Sequence, residues 1–338
     1  MNHARELQTA IAAVQQAALL CEQVRHQIVP AALEKNDRSP VTVADFGAQA
    51  IVGRALQADF PSDPLIAEED SGLLRQPEQA ATLQQIQTFL NPIVSTTDPA
   101  EALAWIDHGK TALSSTGNPD RFWTLDPIDG TKGFLRGDQY AIALGLVENG
   151  TIQLGILGCP ALTLGAHTGV LLVAMRGQGT RLFPLASLDL QAGKTAEALF
   201  GEAQVLQVVQ TTASDQFRFV ESVEAAHGNQ TLQQTIAQAV GITAPSVRMD
   251  SQAKYGAVAA GEAALYLRLP SPKTPDYREK IWDHAAGVIV IEEAGGKVTD
   301  MHGKPLDFSL GKTLAENQGV IASNGTIHDT VLEALAKL

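Results

Sequence analysis

Three strand-like runs follow one another in the middle of the chain, and they constrain its fold more than any other feature. They read RFWTLD from Arg121, YAIALGLVENGTIQLGILGCP from Tyr140 and GVLLVAMRGQGTRLF from Gly169. The dipeptide Asn149-Gly150 divides the second run, and Asn-Gly is a strong signal for a tight hairpin turn. Because strands joined by short turns pair side by side in opposite directions, this part of the chain predicts an antiparallel meander.

Helical patterns flank the predicted meander. Before it, apolar residues recur at helical spacing over 6–29, 44–56 and the segment EQAATLQQIQTFL. After it, strand patterns (VLQVVQTT, the end of AKYGAVAAGEAALYLRL, KVTD) alternate with helical ones (NQTLQQTIAQAVG, WDHAAGVIVIEEAGG, TVLEALAKL). A chain of 338 residues exceeds what one core usually serves. Weak apolar order over 185–203 predicts a boundary between an N-terminal α+β lobe, 1–200, and a C-terminal α/β lobe, 201–338.

Composition excludes several classes of protein. Hydrophobic residues make up 45% and charged residues 18%, which is typical of a globular chain and not of a disordered one. The formal net charge of −13 disfavours nucleic acids and anionic membranes as partners, because both are bound by clustered Lys and Arg. An anionic small substrate stays possible if cations separate it from the acidic groups.

The two cysteines and the N-terminus predict a reduced, cytoplasmic location. Cys21 and Cys159 form no CxxC motif, so two small buried side chains are favoured over a disulfide framework or a thiolate metal site. A regulatory disulfide would need their Cα atoms within about 7 Å. No apolar run reaches the roughly 20 residues that span a bilayer, and the N-terminus lacks a signal-peptide pattern. The sequence leaves open an organellar transit peptide removed earlier.

Acidic residues lie at the ends of several predicted elements. Asp126 and Asp129 follow the strand RFWTLD, which Pro127 is expected to end because proline cannot donate to a strand ladder. Further acids end the run PLIA or begin a helix: Glu68, Glu69, Asp45 and Asp283. Carboxylates that face one point repel each other unless they are protonated or bind metal, and Mg²⁺ prefers such oxygen ligands.

Each of these acids also has an ordinary structural explanation. Asp-Pro and Asp-Gly are common turn dipeptides. Asp283 suits a helix N-cap, and Asp45 suits the first turn of a helix, where negative charge is favourable. Glu68 and Glu69 could form a solvated strand end. Taken one at a time, the residues do not decide between these alternatives.

Two longer stretches, WTLDPIDGT and WDHAAGVIVIEEAGG, resemble signatures of the lithium-sensitive, magnesium-dependent phosphatase superfamily that includes inositol monophosphatase and fructose-1,6-bisphosphatase. The resemblance runs from the first helix to the last strand and implies a layered αβαβα sandwich of mixed α+β and α/β character. NDRSPVTVADFGAQ, DGTKGFLRGDQYAIAL, FVESVEAAH, DSQAKYG and YLRLP are similar to the 3′(2′),5′-bisphosphate nucleotidase branch.

The resemblance implies a role for each acid. Two or three Mg²⁺ ions would be bound by the carboxylates of Glu68, Asp126, Asp129 and Asp283 and by the backbone carbonyl of Ile128. Asp45 and Thr131 would polarise the attacking water. Inhibition by Li⁺, which would replace one Mg²⁺, is part of the same expectation.

The resemblance also implies a nucleotide substrate. Its contacts would be Thr131, His227, Ser251, Lys254 and Arg268, with the two cations meeting a 5′-phosphate. Ordinary structural roles stay open for these residues, and Gly228-Asn229 departs from the small hydroxyl residues that often follow this histidine. The expected reaction removes the 3′-phosphate of adenosine 3′,5′-bisphosphate, a by-product of sulfate assimilation. The 5′-phosphosulfate analogue is a second expected substrate; the oligomeric state stays open, and a monomer is compatible with the resemblance.

Other enzyme classes fit less well. Haloacid-dehalogenase phosphatases use Asp-x-Asp-Gly-Thr near the N-terminus, whereas here two residues separate the aspartates in mid-chain. No Gly-x-Ser-x-Gly supports a serine hydrolase. An inositol polyphosphate 1-phosphatase, a sugar bisphosphatase and a non-catalytic nucleotide sensor stay open as alternatives.

Overall fold

The computed structural model describes residues 2–27, 32–35, 40–95, 98–110, 117–188, 194–211, 213, 217–224 and 229–337. The helices in these ranges are α1 Ala4–Gln27, α2 Val43–Asp59, α3 Ala80–Val94, α4 Pro99–Asp107, α5 Thr131–Arg136, α6 Ala196–Glu202, α7 Gln230–Ala239, α8 Ala253–Ala259, α9 Ala285–Glu292 and α10 His328–Leu335. The strands are β1 Leu33–Glu34, β2 Pro40–Val41, β3 Leu65–Ala67, β4 Arg121–Asp129, β5 Ala141–Glu148, β6 Thr151–Leu164, β7 His167–Met175, β8 Gly179–Pro184, β9 Gln204–Leu206, β10 Phe219–Glu221, β11 Val247–Arg248, β12 Leu265–Arg268, β13 Lys297–Thr299 and β14 Val320–Ser323.

The predicted meander is the centre of a seven-stranded sheet. Strands β3 to β9 lie in chain order; β3 pairs parallel with β4, and all other neighbours pair antiparallel. The hairpin between β5 and β6 turns at Asn149 and Gly150, whose φ angles are 49° and 73°. Both residues have the positive φ that a type I′ turn requires, so the Asn-Gly prediction is confirmed.

The second half of the chain forms a five-stranded mixed sheet. Its order is β11-β10-β12-β14-β13, with β10 parallel to β11 and β12, and β14 antiparallel to β12 and β13. Strands β1 and β2 form a separate antiparallel pair. The predicted alternation of helices and strands after the meander is therefore confirmed, whereas the lobe boundary at residue 200 stays a prediction.

Three apolar clusters show how the elements are layered. In the first, Val14 of α1 and Phe46 of α2 cover one face of the seven-stranded sheet. In the second, Tyr255 of α8 and Ile289 of α9 fill the space between the two sheets. In the third, α7 and α10 cover the outer face of the five-stranded sheet. The order helix, sheet, helix, sheet, helix confirms the predicted αβαβα sandwich.

Helix α9 approaches the seven-stranded sheet closely because β6 has a glycine at the contact. A Cβ added at Gly155 would lie 2.3 Å from Cγ2 of Ile289 and 2.9 Å from the carbonyl oxygen of Ala286. No other residue fits there without moving the helix. This contact determines how α9, and therefore Asp283 just before it, is placed against the strands.

Both cysteines are buried and free. Cys21 belongs to the cluster under α1 and α2, and Cys159 belongs to the cluster between the sheets. Burial raises the pKa of each thiol well above its usual value, which keeps both thiols protonated. The structure thus confirms the interpretation of two small buried side chains. Among the described residues, no helix combines the length and apolar character needed to span a bilayer.

Candidate active site

A cavity of about 890 Å³ lies where the ends of β3, β4 and β12 meet the beginnings of α5, α8 and α9. Its lining includes every predicted metal ligand, together with three predicted substrate contacts besides Thr131: Glu68, Asp126, Ile128, Asp129, Asp283, Ser251, Lys254 and Arg268. Residues far apart in the sequence are therefore brought to one place, as the sequence analysis expects. His227 lies outside the described residues.

Strand β4 carries Asp126 and Asp129 into the cavity. The expectation that Pro127 ends this strand is wrong, because β4 continues to Asp129 with a shift in its register against β5 between the two aspartates. The irregularity accommodates a residue that cannot donate to the ladder. Gly130 then takes the left-handed conformation, with φ 87°, and begins α5. The bulge and the glycine turn the carboxylates toward the cavity rather than along the sheet.

The acidic side chains strongly affect one another. Burial, followed by Glu68, Asp129 and Asp283, raises the pKa of Asp126 well above its usual range. Burial and then Asp129 likewise raise the pKa of Asp283. Burial also raises the pKa of Asp129, although Lys254 and Arg268 lower it. Burial is the largest cause of all three shifts, and for Asp126 and Asp283 the neighbouring carboxylates add to it.

The donor atoms of the cluster suit a hard divalent cation. Carboxylates of Glu68, Asp126, Asp129 and Asp283 and the carbonyl of Ile128 are all oxygen donors, which Mg²⁺ prefers. Among the described residues, one group of three possible metal ligands has all its ligand atoms within 4.8 Å of one another: Glu279, Asp283 and His284. The ligand atoms of the predicted set lie farther apart than this. Of these three residues Asp283 lines the cavity, whereas Glu279 and His284 form a hydrogen bond with each other.

Lys35 supplies positive charge at the edge of the acidic cluster. Its Nζ lies 2.7 Å from Oε1 of Glu68 and 2.6 Å from Oε1 of Glu69. Burial lowers the pKa of Lys35, but the two carboxylates outweigh this effect and raise it above its usual value. No spacing in the sequence marks this lysine, because the fold alone brings it to the two acids.

Asp45 has two structural tasks in the first turn of α2. Its Oδ2 accepts hydrogen bonds from the backbone N and Oγ1 of Thr42, at 2.8 and 2.6 Å, which completes a capping box. Its Oδ1 accepts from Oγ1 of Thr131 at 3.2 Å. Burial raises the pKa of Asp45 to about 6, although the hydrogen bonds from Thr42 lower it. The first-turn explanation therefore accounts for one oxygen, and the predicted partnership with Thr131 accounts for the other.

Two cations, one buried and one partly buried, share the cavity with the acids. Lys254, on α8, is 3% exposed and lies 5.2 Å from the ring centre of Tyr266. Burial lowers its pKa to about 8. Arg268, at the end of β12, donates from Nε to Glu279 at 2.9 Å. Ser251 has a positive φ of 65°, and its Oγ accepts from the backbone N of Ala253. The ordinary turn role of this serine is thus present beside its place in the cavity lining.

The structure also adds residues that sequence reasoning missed. Gln252 donates its backbone N–H to Oδ2 of Asp129 at 2.6 Å, while its side chain bonds the backbone of Trp282 and Gly287. It therefore ties β4 to the region of Asp283. Glu279 precedes Asp283 in the segment EKIW, and its proximity to the second signature was the one available signal. The ordinary N-cap explanation for Asp283 does not hold, because the N-cap of α9 is His284, whose side chain makes no capping hydrogen bond.

Comparisons with known proteins identify the family and support the fold. A sequence model described as the inositol monophosphatase family matches residues 3–338. The chain belongs to the inositol monophosphatase family. This confirms the predicted family, whose members are metal-dependent phosphatases, over nearly the whole sequence. The solved structure of the Thermotoga maritima IMPase covers 98% of this chain and 97% of its own, with a TM-score of 0.65 at 22% identity, which supports the fold.

Full-length relatives within the family have a more specific name. A protein from Emericella nidulans is 42% identical over 366 residues, covering 100% of this chain and 99% of its own length. One from Schizosaccharomyces pombe is 42% identical over 354 residues, covering 99% and 96%. Both are named 3′(2′),5′-bisphosphate nucleotidase, so the chain is similar to that branch of the inositol monophosphatase family.

Proposed function

We propose that the protein is a Mg²⁺-dependent phosphatase that hydrolyses the 3′-phosphate of adenosine 3′,5′-bisphosphate to give AMP and phosphate. The observation that carries the proposal is that one cavity contains both the acidic cluster and the cations Lys254 and Arg268. A substrate with two phosphates can place one at each group. The names of the full-length relatives support the same substrate.

The acidic cluster would hold the metal. Its donors are the carboxylates of Glu68, Asp126, Asp129 and Asp283 and the carbonyl of Ile128, and two or three ions are proposed. Bound Mg²⁺ supplies positive charge that activates water and neutralises the phosphoryl oxygens. The pKa increases of Asp126 and Asp283 support this assignment, since neighbouring carboxylates contribute to them after burial and a divalent cation would offset that repulsion. Li⁺ is proposed to inhibit by replacing one Mg²⁺.

Thr131 and Asp45 would act on the attacking water. The hydroxyl of Thr131 donates to Oδ1 of Asp45 at 3.2 Å, so its lone pairs stay available to the water. Thr131 can accept a proton from the water while it passes its own proton to Asp45. With a pKa of about 6, Asp45 is ionised at neutral pH and basic enough to receive that proton.

Lys254 and Arg268 would bind the 5′-phosphate. Arg268 is always charged, and Lys254, with a pKa of about 8, is largely protonated at neutral pH. An arriving phosphate dianion favours the charged lysine further. Ser251, Thr131 and His227 are proposed as further substrate contacts. The 5′-phosphosulfate analogue would fit the same groups, so we propose it as a second substrate and place the enzyme in the disposal of a sulfate-assimilation by-product.

Phosphate release tests the proposal. Adenosine 3′,5′-bisphosphate, inositol 1,4-bisphosphate and fructose 1,6-bisphosphate are compared with Mg²⁺ at equal concentrations. Preference for the nucleotide supports the proposed function. Preference for either other substrate would replace it with an inositol polyphosphate 1-phosphatase or a sugar bisphosphatase. Binding of the nucleotide without hydrolysis of any substrate would instead indicate a sensor.

A lysine substitution tests the nucleotide contact separately. Lys254→Ala should raise KM for adenosine 3′,5′-bisphosphate by roughly tenfold or more while lowering kcat much less, because a phosphate contact distant from the reacting bond mainly supports binding. Lys297→Ala is the matched control, since Lys297 is an exposed lysine paired with Asp329 outside the cavity. Equal losses with an inositol bisphosphate substrate would contradict the nucleotide assignment.

A further inference from the structure

Glu279 is a buried carboxylate that contacts the cavity only through another residue. It is 7% exposed, and its Oε2 accepts a hydrogen bond from Nε of Arg268 at 2.9 Å. Its Oε2 also lies 3.3 Å from Nε2 of His284. Its backbone oxygen accepts from the backbone N of Leu314 at 2.8 Å, which fixes the main chain at this point. Glu279 does not line the cavity, whereas Arg268 does.

A chain of buried hydrogen bonds anchors this carboxylate. His284 is 1% exposed, and its Nδ1 lies 2.6 Å from the hydroxyl of Tyr255. The ring of Tyr255 packs edge-on against Tyr266, with ring centres 5.3 Å apart. Glu279 is therefore connected to α8 and to β12 as well as to the residue before α9. Such support holds a side chain in place before a ligand arrives.

Charge makes the contact strong. Burial raises the pKa of Glu279, but Arg268 and His284 outweigh it and lower the value to about 2. The carboxylate is thus ionised at neutral pH, and the pair with Arg268 is a charge-assisted hydrogen bond. A guanidinium that is 20% exposed and has no such partner would lose much of its hydration without compensation.

The alternative partners of Arg268 are the acids of the proposed metal site. Asp283 contributes, after Glu279 and Tyr266, to the electrostatic stabilisation of the charged guanidinium. The charge of Arg268 in turn lowers the pKa of both Asp129 and Asp283. If Arg268 paired with either aspartate, it would be withdrawn from a phosphate and would neutralise a proposed ligand of the metal. The ionised carboxylate of Glu279, which already holds Nε of Arg268, competes with such a pairing.

We propose that Glu279 is a positioning residue, which holds Arg268 through Nε so that the terminal guanidinium nitrogens meet the second phosphate of the substrate. The inference rests on the proposed function, because it takes that phosphate as the ligand of Arg268. Glu279 itself touches neither substrate nor metal. Its effect on phosphate recognition passes entirely through Arg268.

Calorimetry with AMP and adenosine in the presence of Mg²⁺ tests this role. AMP retains the 5′-phosphate of the substrate, and adenosine lacks it, so the ratio of their Kd values isolates the phosphate contact. Glu279→Gln keeps the shape of the side chain and removes its charge. It should weaken AMP binding by about tenfold and leave adenosine binding unchanged, as expected for a lost charge-assisted contact.

The matched control is Glu221→Gln. Glu221 is also a buried glutamate paired with an arginine, Arg248, at 3.0 Å, but neither residue lines the cavity. This variant should change neither Kd. The double variant Arg268→Gln/Glu279→Gln should bind AMP no more weakly than Arg268→Gln alone, because Glu279 acts only through Arg268.

The outcomes separate the inference from the proposed function. If wild-type protein binds AMP no more tightly than adenosine, the proposed phosphate contact fails. If wild-type prefers AMP and Glu279→Gln keeps that preference, the positioning role is overturned while the proposed function stands. Should Glu279→Gln not fold, Glu279→Asp retains the charge on a shorter side chain. An intermediate preference for AMP would then support the role, and full preference would oppose it.

Discussion

At the scale of single residues, the candidate site depends on side chains that have a structural and a chemical task together. Asp45 caps α2 through one oxygen and meets Thr131 through the other. Asp129 accepts from the backbone of Gln252 and also contributes to the acidic cluster. A substitution at such a position separates the two tasks only if it preserves the hydrogen bonds that hold the fold.

Asp45→Asn is such a substitution. The amide oxygen can still accept from Thr42, so the capping box and the fold should persist, whereas the side chain can no longer receive a proton at neutral pH. We expect kcat to fall by about 10²–10⁴-fold. Mg²⁺ affinity, measured by calorimetry, should stay within a few-fold of wild type.

Thr131 provides the comparison for this prediction. Thr131→Ser retains the hydroxyl and should keep most of the activity, whereas Thr131→Val should lose it to a similar extent as Asp45→Asn. Normal turnover by Asp45→Asn would show that this aspartate is not the proton acceptor.

At the scale of secondary-structure elements, close packing places α9 and therefore Asp283. Gly155 allows α9 to approach β6, and Gly287 allows α9 to approach α8. A Cβ at Gly287 would lie 2.4 Å from Cγ of Tyr255, an atom near the root of a buried side chain. Because the hydroxyl of Tyr255 is also hydrogen-bonded to His284, this side chain cannot move aside freely.

Gly287→Ala is therefore expected to destabilise the protein by about 1–3 kcal/mol, since overpacking outweighs the better helix propensity of alanine. Gly201→Ala is the control, because Gly201 also lies in a helix but has no atom within 4 Å of an added Cβ. The control should be neutral or more stable by up to about 1 kcal/mol. Urea unfolding measures the free energy of unfolding of each variant. Equal stability of the two variants would contradict the packing argument.

At the scale of the whole molecule, the charge distribution links stability to solution conditions. The net charge is −13, and several acids are buried together around one cavity. Their mutual repulsion opposes folding, so a cation that binds the cluster should stabilise the native state.

Mg²⁺ is thus expected to raise the thermal unfolding midpoint relative to protein in EDTA. At a free concentration 100 times Kd, the stabilisation would be about 2.7 kcal/mol. Asp126→Asn should unfold at a higher temperature than wild type in EDTA, because one buried charge is removed, and should gain less from Mg²⁺. Scanning calorimetry measures these differences. Identical midpoints of the wild type with Mg²⁺ and with EDTA would argue against a metal site.

Acid should weaken the packing of α10. His328 is buried, with Nε2 2.9 Å from Oγ1 of Thr299 and Nδ1 2.9 Å from Oγ of Ser323. Burial lowers its pKa to about 4. In the unfolded chain the pKa of a histidine is about 6.5, so between about pH 6.5 and 4 the unfolded state binds a proton that the native state excludes. The free energy of unfolding should therefore fall as the pH decreases through this interval.

Chemical unfolding of His328→Gln and wild type at several pH values checks this prediction. The variant should lose less stability than wild type over that interval, because its side chain cannot be protonated. His302→Gln, at an exposed histidine, should leave the pH dependence of stability unaltered. A parallel decline in all three proteins would assign the acid sensitivity to other groups.

Much of the architecture could be predicted because its signals are local. Turn residues, apolar periodicity and the two signatures predicted the meander, the main helices and the family. The extent of β4 was predicted wrongly, since the register shift that accommodates Pro127 depends on pairing with β5. Lys35 and Glu279 were missed because their partners come from other segments and no spacing marks them.

The main elements, the acidic residues at their ends and the family could be predicted from residue order, because they depend on nearby residues and recognisable motifs. Which charges meet depends on the folded molecule. The pKa of Asp45, the pairing of Arg268 with Glu279 and the contact of Lys35 with Glu68 depend on burial and on partners distant in the chain. Electrostatic energy depends on distance and surroundings in the folded molecule, and neither can be read from residue order.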